Sequence, residues 1–460
     1  MALPYAGVVA GNYKSPNWIT SVIQGSNNFQ LASFRGASTD SSGATVCTIQ
    51  RLINDTKNYI AKIDKNGFFQ WSAYTPSVAF VTVASGSSNI YAALYSLYDS
   101  SLSAYVPSYT KFDYNGNVLV SKKIIPQYAS SSVGFNSSTM NDIAVDSSDN
   151  LYFLYTLPNS AGGLALAVTK ITASSNTIAW TQVIQNSTTS SASMYGAKIK
   201  IDSVGKVYVL CAVGTTYYTI KLNVDGSIIW QRYFSRDAGY LGSIDLAISN
   251  ASGIIYICGV YNLGQPPNAG FIAAYDANGV KQWIKTYAYA SSNATQFTSI
   301  AIDSSDNLYV GGSHKDTSYS FGALFKISST GTLLYTRVFT NASPSKSQGS
   351  ISVTGLYNNN IIMGGGVLVD SDTTSNTSVP FFTSLPQDGT KIGTYRIGAN
   401  PTWGTETIVY QSNSSITTTT SALTDNAGAL LTAVQTPTLA DSGVSVTTQD
   451  TNKYFDKDNI

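Results

Sequence analysis

Residue types that carry acid–base or nucleophilic chemistry are scarce in this chain of 460 residues. His314 is the only histidine. It follows Gly311-Gly312-Ser313 at the end of an apolar run and reads as a polar loop residue. One histidine excludes a multi-histidine metal site, and any Ser-His-Asp arrangement would have to be built around this position. Glu406 is the only glutamate, so paired carboxyls for glycoside hydrolysis would have to be aspartates. Most aspartates sit in short polar clusters such as Asp303-Ser304-Ser305-Asp306-Asn307. Such a cluster could be a calcium loop, but calcium takes about six to eight oxygens, more than five residues between two strands supply. Asp and Asn at turns bond their own backbone instead, and that is the reading adopted. The three cysteines, Cys47, Cys211 and Cys258, are an odd number, which argues against a disulfide framework. They read as small core residues. No catalytic residue, metal ligand or cofactor-binding set is expected.

Aromatic residues are the remaining candidates. Tyr95, Tyr98, Tyr105 and Tyr109 cluster between two turns, and Tyr217, Tyr218 and Trp403 add to them in stretches that read as variable loops. Flat rings among Asn, Ser and Gly suit contact with sugars or proteins. The alternative is that these rings pack within the fold. Nucleic acid is not an expected partner: charged residues are 11% of the chain, the net charge is +1, and no basic stripe interleaves with the aromatics. No run approaches the roughly 18 apolar residues of a membrane span. Residues 1–13 lack the basic and apolar regions of a secretion signal. Asn-x-Ser/Thr sequons, from Asn54 to Asn413, are ordinary in so Asn-, Ser- and Thr-rich a chain, and no glycosylation is read from them.

The elements that hold these residues are repeated. One cassette runs Ala-Ile-Asp-Ser-Ser-Asp-Asn-Leu-Tyr-Val-Gly-Gly from Ala301, then, after a loop, Ala-Leu-Phe-Lys-Ile-Ser-Ser-Thr-Gly-Thr-Leu-Leu-Tyr from Ala323. Apolar residues alternate or cluster over four to six positions between polar turns, which is a strand signal. The second turn recurs at Asp64–Gly67, Asp113–Gly116, Ser174–Asn176, Asn223–Gly226, Asp276–Gly279, Ser329–Gly331 and Gln387–Gly389. Asn-Gly and Asp-Gly favour tight hairpins, because both central residues can take positive φ. A lysine often precedes the turn (Lys62, Lys111, Lys170, Lys221, Lys326), and an aromatic follows it. Trp180, Trp230, Trp283 and Tyr335 are spaced by 50, 53 and 52 residues. The first turn recurs too, followed by Tyr91, Tyr152, Tyr208, Tyr256 or Tyr309. No segment shows a sustained helical period.

Four strands in about 50 residues, repeated, predict an all-β fold: a β-propeller of four-stranded blades. Asn17–Gln24 matches Ala179–Gln185, the last strand of a blade, while the C-terminal region holds three further strand-like runs. The expectation is therefore eight blades, the last a split closing blade shared by residues 16–24 and 413–450. Seven blades plus a C-terminal extension is the alternative. The domain is expected over residues 16–450, with arms at 1–15 and 451–460.

The cassette, with its Lys-Ile-x-x-x-Gly-x-x-x-Trp continuation, resembles the β-propeller repeats of bacterial surface proteins and of tailed-bacteriophage virion proteins. The resemblance covers about residues 29–400. It implies a virion structural protein, a tail nozzle, baseplate or fibre component, whose partners are other virion proteins in multiple copies and a host-surface glycan or protein. The virion tail is the implied location, with an extracellular or cell-surface bacterial binding propeller as the alternative and a propeller enzyme behind both. No catalytic residue is carried over from it.

Overall fold

The computed structural model describes residues 18–22, 33–50, 58–75, 78–101, 103–125, 140–158, 163–186, 194–214, 216–234, 241–261, 269–288, 294–315, 320–340, 349–368, 378–391 and 393–394, with short strands beyond. The cassette is one blade. Thr295–Ile302, Leu308–Lys315, Ser320–Ile327 and Leu333–Thr340 form an antiparallel meander in that order from the channel outward. The same meander is built in blade 1 by residues 33–75, blade 2 by 80–125, blade 3 by 140–186, blade 4 by 194–234, blade 5 by 241–288 and blade 6 by 295–340. Blade 7 takes three strands from Ile351–Tyr357, Asn360–Leu368 and Ser378–Pro386, and its fourth from the N-terminal strand Trp18–Val22. The innermost strands touch in order around the ring, and that of blade 7 touches that of blade 1. The fold is a closed seven-blade propeller.

Both faces of each sheet are buried, and residue parity decides which neighbour a side chain meets. In blade 3, Phe153 and Tyr155 pack toward blade 2, while Tyr152 and Leu154 pack toward blade 4. Seven apolar clusters result among the described residues, one at each junction between consecutive blades. This is why the strands read as near-continuous apolar runs. Cys47, Cys211 and Cys258 lie inside such clusters as free, buried thiols.

The expectation of eight blades is corrected to the stated alternative, seven with an extension. The N-terminal strand is the outermost of a closing blade, as expected, but it pairs with Ser378–Pro386 rather than with residues 413–450. It fills the place that the seventh turn copy, Gln387–Gly389, leaves empty. Among the described residues, the C-terminal region forms no blade. Its strands run back around the rim, each adding to the outer edge of a blade that is already complete. Thr402–Gly404, itself paired with Gly393–Thr394, joins blade 6. Val409–Gln411 joins blade 5, Thr418–Thr419 blade 4 and Leu430–Val434 blade 3. Thr438–Asp441 joins blade 2 and Thr447–Gln449 blade 1. Phe455–Asn459 closes the belt against Trp18–Val22 in blade 7. Within the expected C-terminal arm, 451–460, the described residues Phe455–Asn459 thus belong to this belt. Seven outer edges with unpaired backbone groups accept strands more readily than three short runs without hairpin turns can build a new sheet. The turn-like stretch Thr424–Gly428 and residues 1–15 lie outside the described residues.

Candidate functional site

One face of the ring carries both kinds of turn. Asp64 Oδ1 accepts the N–H groups of Asn66 and Phe68, each at 2.9 Å. Asp113, Asp146, Asp202, Asp276 and Asp303 accept in the same i+2 and i+4 pattern. Several second carboxylate oxygens are also engaged: Tyr152, Tyr208 and Tyr309 donate to those of Asp146, Asp202 and Asp303. These turns are backbone-capping devices. In the second turn a single residue takes positive φ, a glycine as at Gly116 (89°) or, in blade 3, Asn176 (50°), and the register shifts just before the turn. The turn is therefore the three-residue type I plus bulge form, not the two-residue form expected. A Cβ on Gly116 would also fall 2.6 Å from Trp71 of the preceding blade.

That contact belongs to a repeated pin between blades. Lys62 Nζ and Trp71 Nε1 of blade 1 both donate to the carbonyl of Tyr114 in blade 2, at 3.1 and 3.0 Å. Lys221 and Trp230 of blade 4 share Ala277 O of blade 5, at 2.9 and 3.0 Å. Lys326 and Tyr335 of blade 6 share Gln387 O of blade 7, at 3.2 and 2.9 Å. Single versions join the other junctions from blade 2 to blade 6: Lys111 to Ala173 O, Trp180 to Val224 O and Trp283 to Ser329 O. At the junction of blades 7 and 1, the backbone places Trp18 opposite Ser384, the register position that Trp230 holds opposite Lys221.

The central channel is a second candidate. It holds a cavity of about 280 Å³ lined by the innermost strands of all seven blades. Each of those strands carries a bulge at the same level. The residues just past it are Gly36, Thr82, Asp142, Lys198, Asp245, Ser299 and Gly355, and the polar side chains among them bind blade to blade. Thr82 donates to Asp142 Oδ1 (3.1 Å), and Asp142 Oδ2 accepts Ile199 N–H (3.1 Å). Asp245 Oδ2 accepts Ile300 N–H (3.1 Å), and Ser299 Oγ accepts Val353 N–H (2.8 Å). At Gly355 the ring is too tight for a side chain, since a Cβ would lie 2.6 Å from Thr39. Lys198 Nζ stands 4.0 Å from Asp142 Oδ2, and its pKa is raised by Asp142 and, less, by Asp245, against the opposing effect of burial. All the charge of this layer therefore sits in blades 3 to 5, and the carboxylates already hold backbone N–H groups.

The end of the ring away from the turns carries most of the tyrosines singled out in the sequence, Tyr109 lying deeper in its blade. Tyr95 and Tyr98 lie on the strand Ile90–Asp99, and Tyr105 and Tyr109 on Ala104–Phe112. They belong to an extended hairpin, not to loops. Tyr98 and Tyr105 face each other across it, 54% and 38% exposed, with ring centroids 5.3 Å apart and tilted by 66°. Tyr109 is fully buried at the junction of blades 2 and 3, and Tyr217 is buried at that of blades 4 and 5. Tyr218 is half-buried against Tyr233, with centroids 5.6 Å apart. Trp403 lies on the belt strand at blade 6, opposite Phe339 in register. Beneath the hairpin tip, Asp99 is 5% exposed and binds Lys123 Nζ at 2.8 Å. That hydrogen bond, with those from Ser101, holds its pKa at about 2.

His314 is not a loop residue. It is buried on Leu308–Lys315, with Thr295 and Phe321 as register partners. Burial pushes the Cys211 thiol up to about 12 and raises those of Cys47 and Cys258, opposite to what a nucleophilic thiolate needs. Among the described residues, no three His, Cys, Asp or Glu side chains group as metal ligands would. The channel layer and the Asp99–Lys123 pair were missed in the sequence. Their signal is weak, because each residue takes its meaning from a neighbour about 50 positions away or on another strand.

No protein-family model matches the sequence, and no curated protein does. Among solved structures, the chain is similar to a protein from Lactobacillus plantarum at 13% identity and a TM-score of 0.41, over 79% of this chain and 99% of that one. A protein of unknown function from Dyadobacter fermentans matches at 8% identity and a TM-score of 0.38, over 80% and 97%. Another of unknown function, from Bacteroides caccae, matches at 9% and 0.36, over 70% and 93%. The assignment of seven blades rests on the chain's own sheet topology.

Proposed function

We propose that this protein is a structural component of a tailed-bacteriophage virion, a nozzle, baseplate or fibre part, in which the propeller is a rigid ring for assembly and host contact. The observation that carries this reading is where the repeat places its polar groups. Among the described residues, the turn carboxylates and the lysines and tryptophans that flank the turns bind within the ring or across blade junctions, and the channel acids hold backbone N–H groups. Such a chain is built to be stiff, and it leaves partner contact to the opposite end and the rim. The reading assigns no catalytic role, and it adds to the resemblance of the cassette to virion propeller repeats. Electron microscopy of native particles, with antibody labelling of this chain, tests it. Rings at a defined tail position are expected, and particles without the protein would overturn it. Fold alone does not choose the function.

The exposed Tyr98–Tyr105 pair favours a second reading, an extracellular propeller of a bacterium that binds carbohydrate or protein. Neighbouring genes separate the two: portal and tail genes support the first, and surface-export genes the second.

A further inference from the structure

The belt offers a partner surface that the virion reading does not name. We infer that the rim of the propeller is a strand-acceptor surface, and that the C-terminal belt is a strand donor exchanged between copies of this chain when rings assemble.

Four observations lead there. Each blade is a complete four-stranded sheet before the belt adds to it, so losing the belt removes only the belt's own pairing. The donor segments are short, from two residues at Thr418–Thr419 to five at Leu430–Val434 and Phe455–Asn459, so each is held weakly and the hold is cumulative. What joins donor to rim is backbone pairing to an outermost strand, the interaction used when a peptide adds to a sheet edge, and the rim of any second copy presents the same edges. Finally, the chain leaves blade 7 after Pro386 and meets the rim first at blade 6, running against the direction in which the blades were laid down. The belt thus leaves its ring at a root beyond blade 7 and is otherwise held to the rim by pairing alone. Exchange of an identical element between copies conserves every contact and is a low-cost route to association. Local concentration then decides between the chain's own rim and a neighbour's.

Cross-linking of full-length variants tests the exchange. Gln182 and Val434 are Cα partners where the belt crosses blade 3, and Lys122 and Asp441 are partners at blade 2. Directly opposed residues of an antiparallel pair lie about 4.5–5.5 Å apart, within disulfide reach. The native cysteines are all buried. The double variant Q182C/V434C should form a disulfide within one chain when dilute. Single variants Q182C and V434C, refolded together at rising concentration and oxidised, should give a linked dimer that neither gives alone, with a yield that climbs with concentration. K122C with D441C should behave alike. Linkage confined to the double variant at every concentration would overturn exchange, and a double variant that does not link would overturn the belt itself. Neither result bears on whether the protein is found in virions.

Discussion

On the turn face, Lys221 and Trp230 converge on a single carbonyl of the next blade, and the pin recurs, in full or single form, at each junction from blade 1 to blade 7. At the other end of the same blades, Tyr98 and Tyr105 pack on each other across one hairpin and stay largely exposed. Both regions are rich in aromatic rings, and their sequences look equally suited to binding. The difference is repetition. A ring that returns at the same register in blade after blade has a partner in the next blade. A ring found in one blade only has none prescribed, and it is free to meet something outside the molecule.

The largest effect expected concerns the one junction closed by the N-terminus. Deleting residues 1–24 removes the fourth strand of blade 7 and the landing strand of the belt's end. The shortened chain should lose cooperative melting and aggregate, seen by calorimetry and light scattering. Within the turn face, W230A removes a buried indole and its pin, and should cost about 3–5 kcal/mol in denaturant unfolding. In the channel, D142A leaves the Ile199 N–H and the Thr82 hydroxyl without their acceptor, and should cost about 1–3 kcal/mol. If W230A and Y98A proved equally harmful to stability, the contrast between the two ends would fail.

A pH series sharpens the same contrast. Hydrogen bonds from Lys123 and Ser101 hold the Asp99 pKa at about 2, below its usual 3.8. A depressed carboxylate pKa stabilises the fold above the unfolded value, and that stability is lost as pH falls through the folded one. The tip of the hairpin should therefore loosen between about pH 4 and pH 2, measured by hydrogen exchange of residues 97–106, and D99N should remove the dependence. The smallest effect on stability belongs to Y98A, within about 0.5 kcal/mol of the parent. Its effect should appear instead in adsorption to host cells or glycans.

Much of this molecule could be read from its sequence, because each turn announces itself locally. Asp64 and Gly67 are an acceptor and a positive-φ residue three positions apart, and nothing distant is needed to place them. Seven such turns correspond to seven blades. The match between Asn17–Gln24 and Ala179–Gln185 even placed Trp18 at its correct register. Illegible was anything whose partner lies far along the chain with no turn between. Thr418–Thr419 pairs with Tyr233 and Phe234 of blade 4, and two threonines carry no signal for that. Three belt runs resembled the strands of one more blade for the same reason: periodicity shows that a segment is extended but not which edge it joins. The tyrosines divided similarly. Tyr109 and Tyr98 look alike in sequence, but Tyr109 lies in the junction of blades 2 and 3 and Tyr98 near the tip of the hairpin.

The central claim is a closed ring of seven blades, girdled by its own tail and joined by its N-terminal strand. A density map of the purified full-length chain, viewed down the channel, tests it most directly. It should show seven blades, each with an added outer strand, and Trp18–Val22 lying between Ser378–Pro386 and Phe455–Asn459 in blade 7. Eight blades, or blades of four strands with residues 402–459 gathered elsewhere, would contradict it.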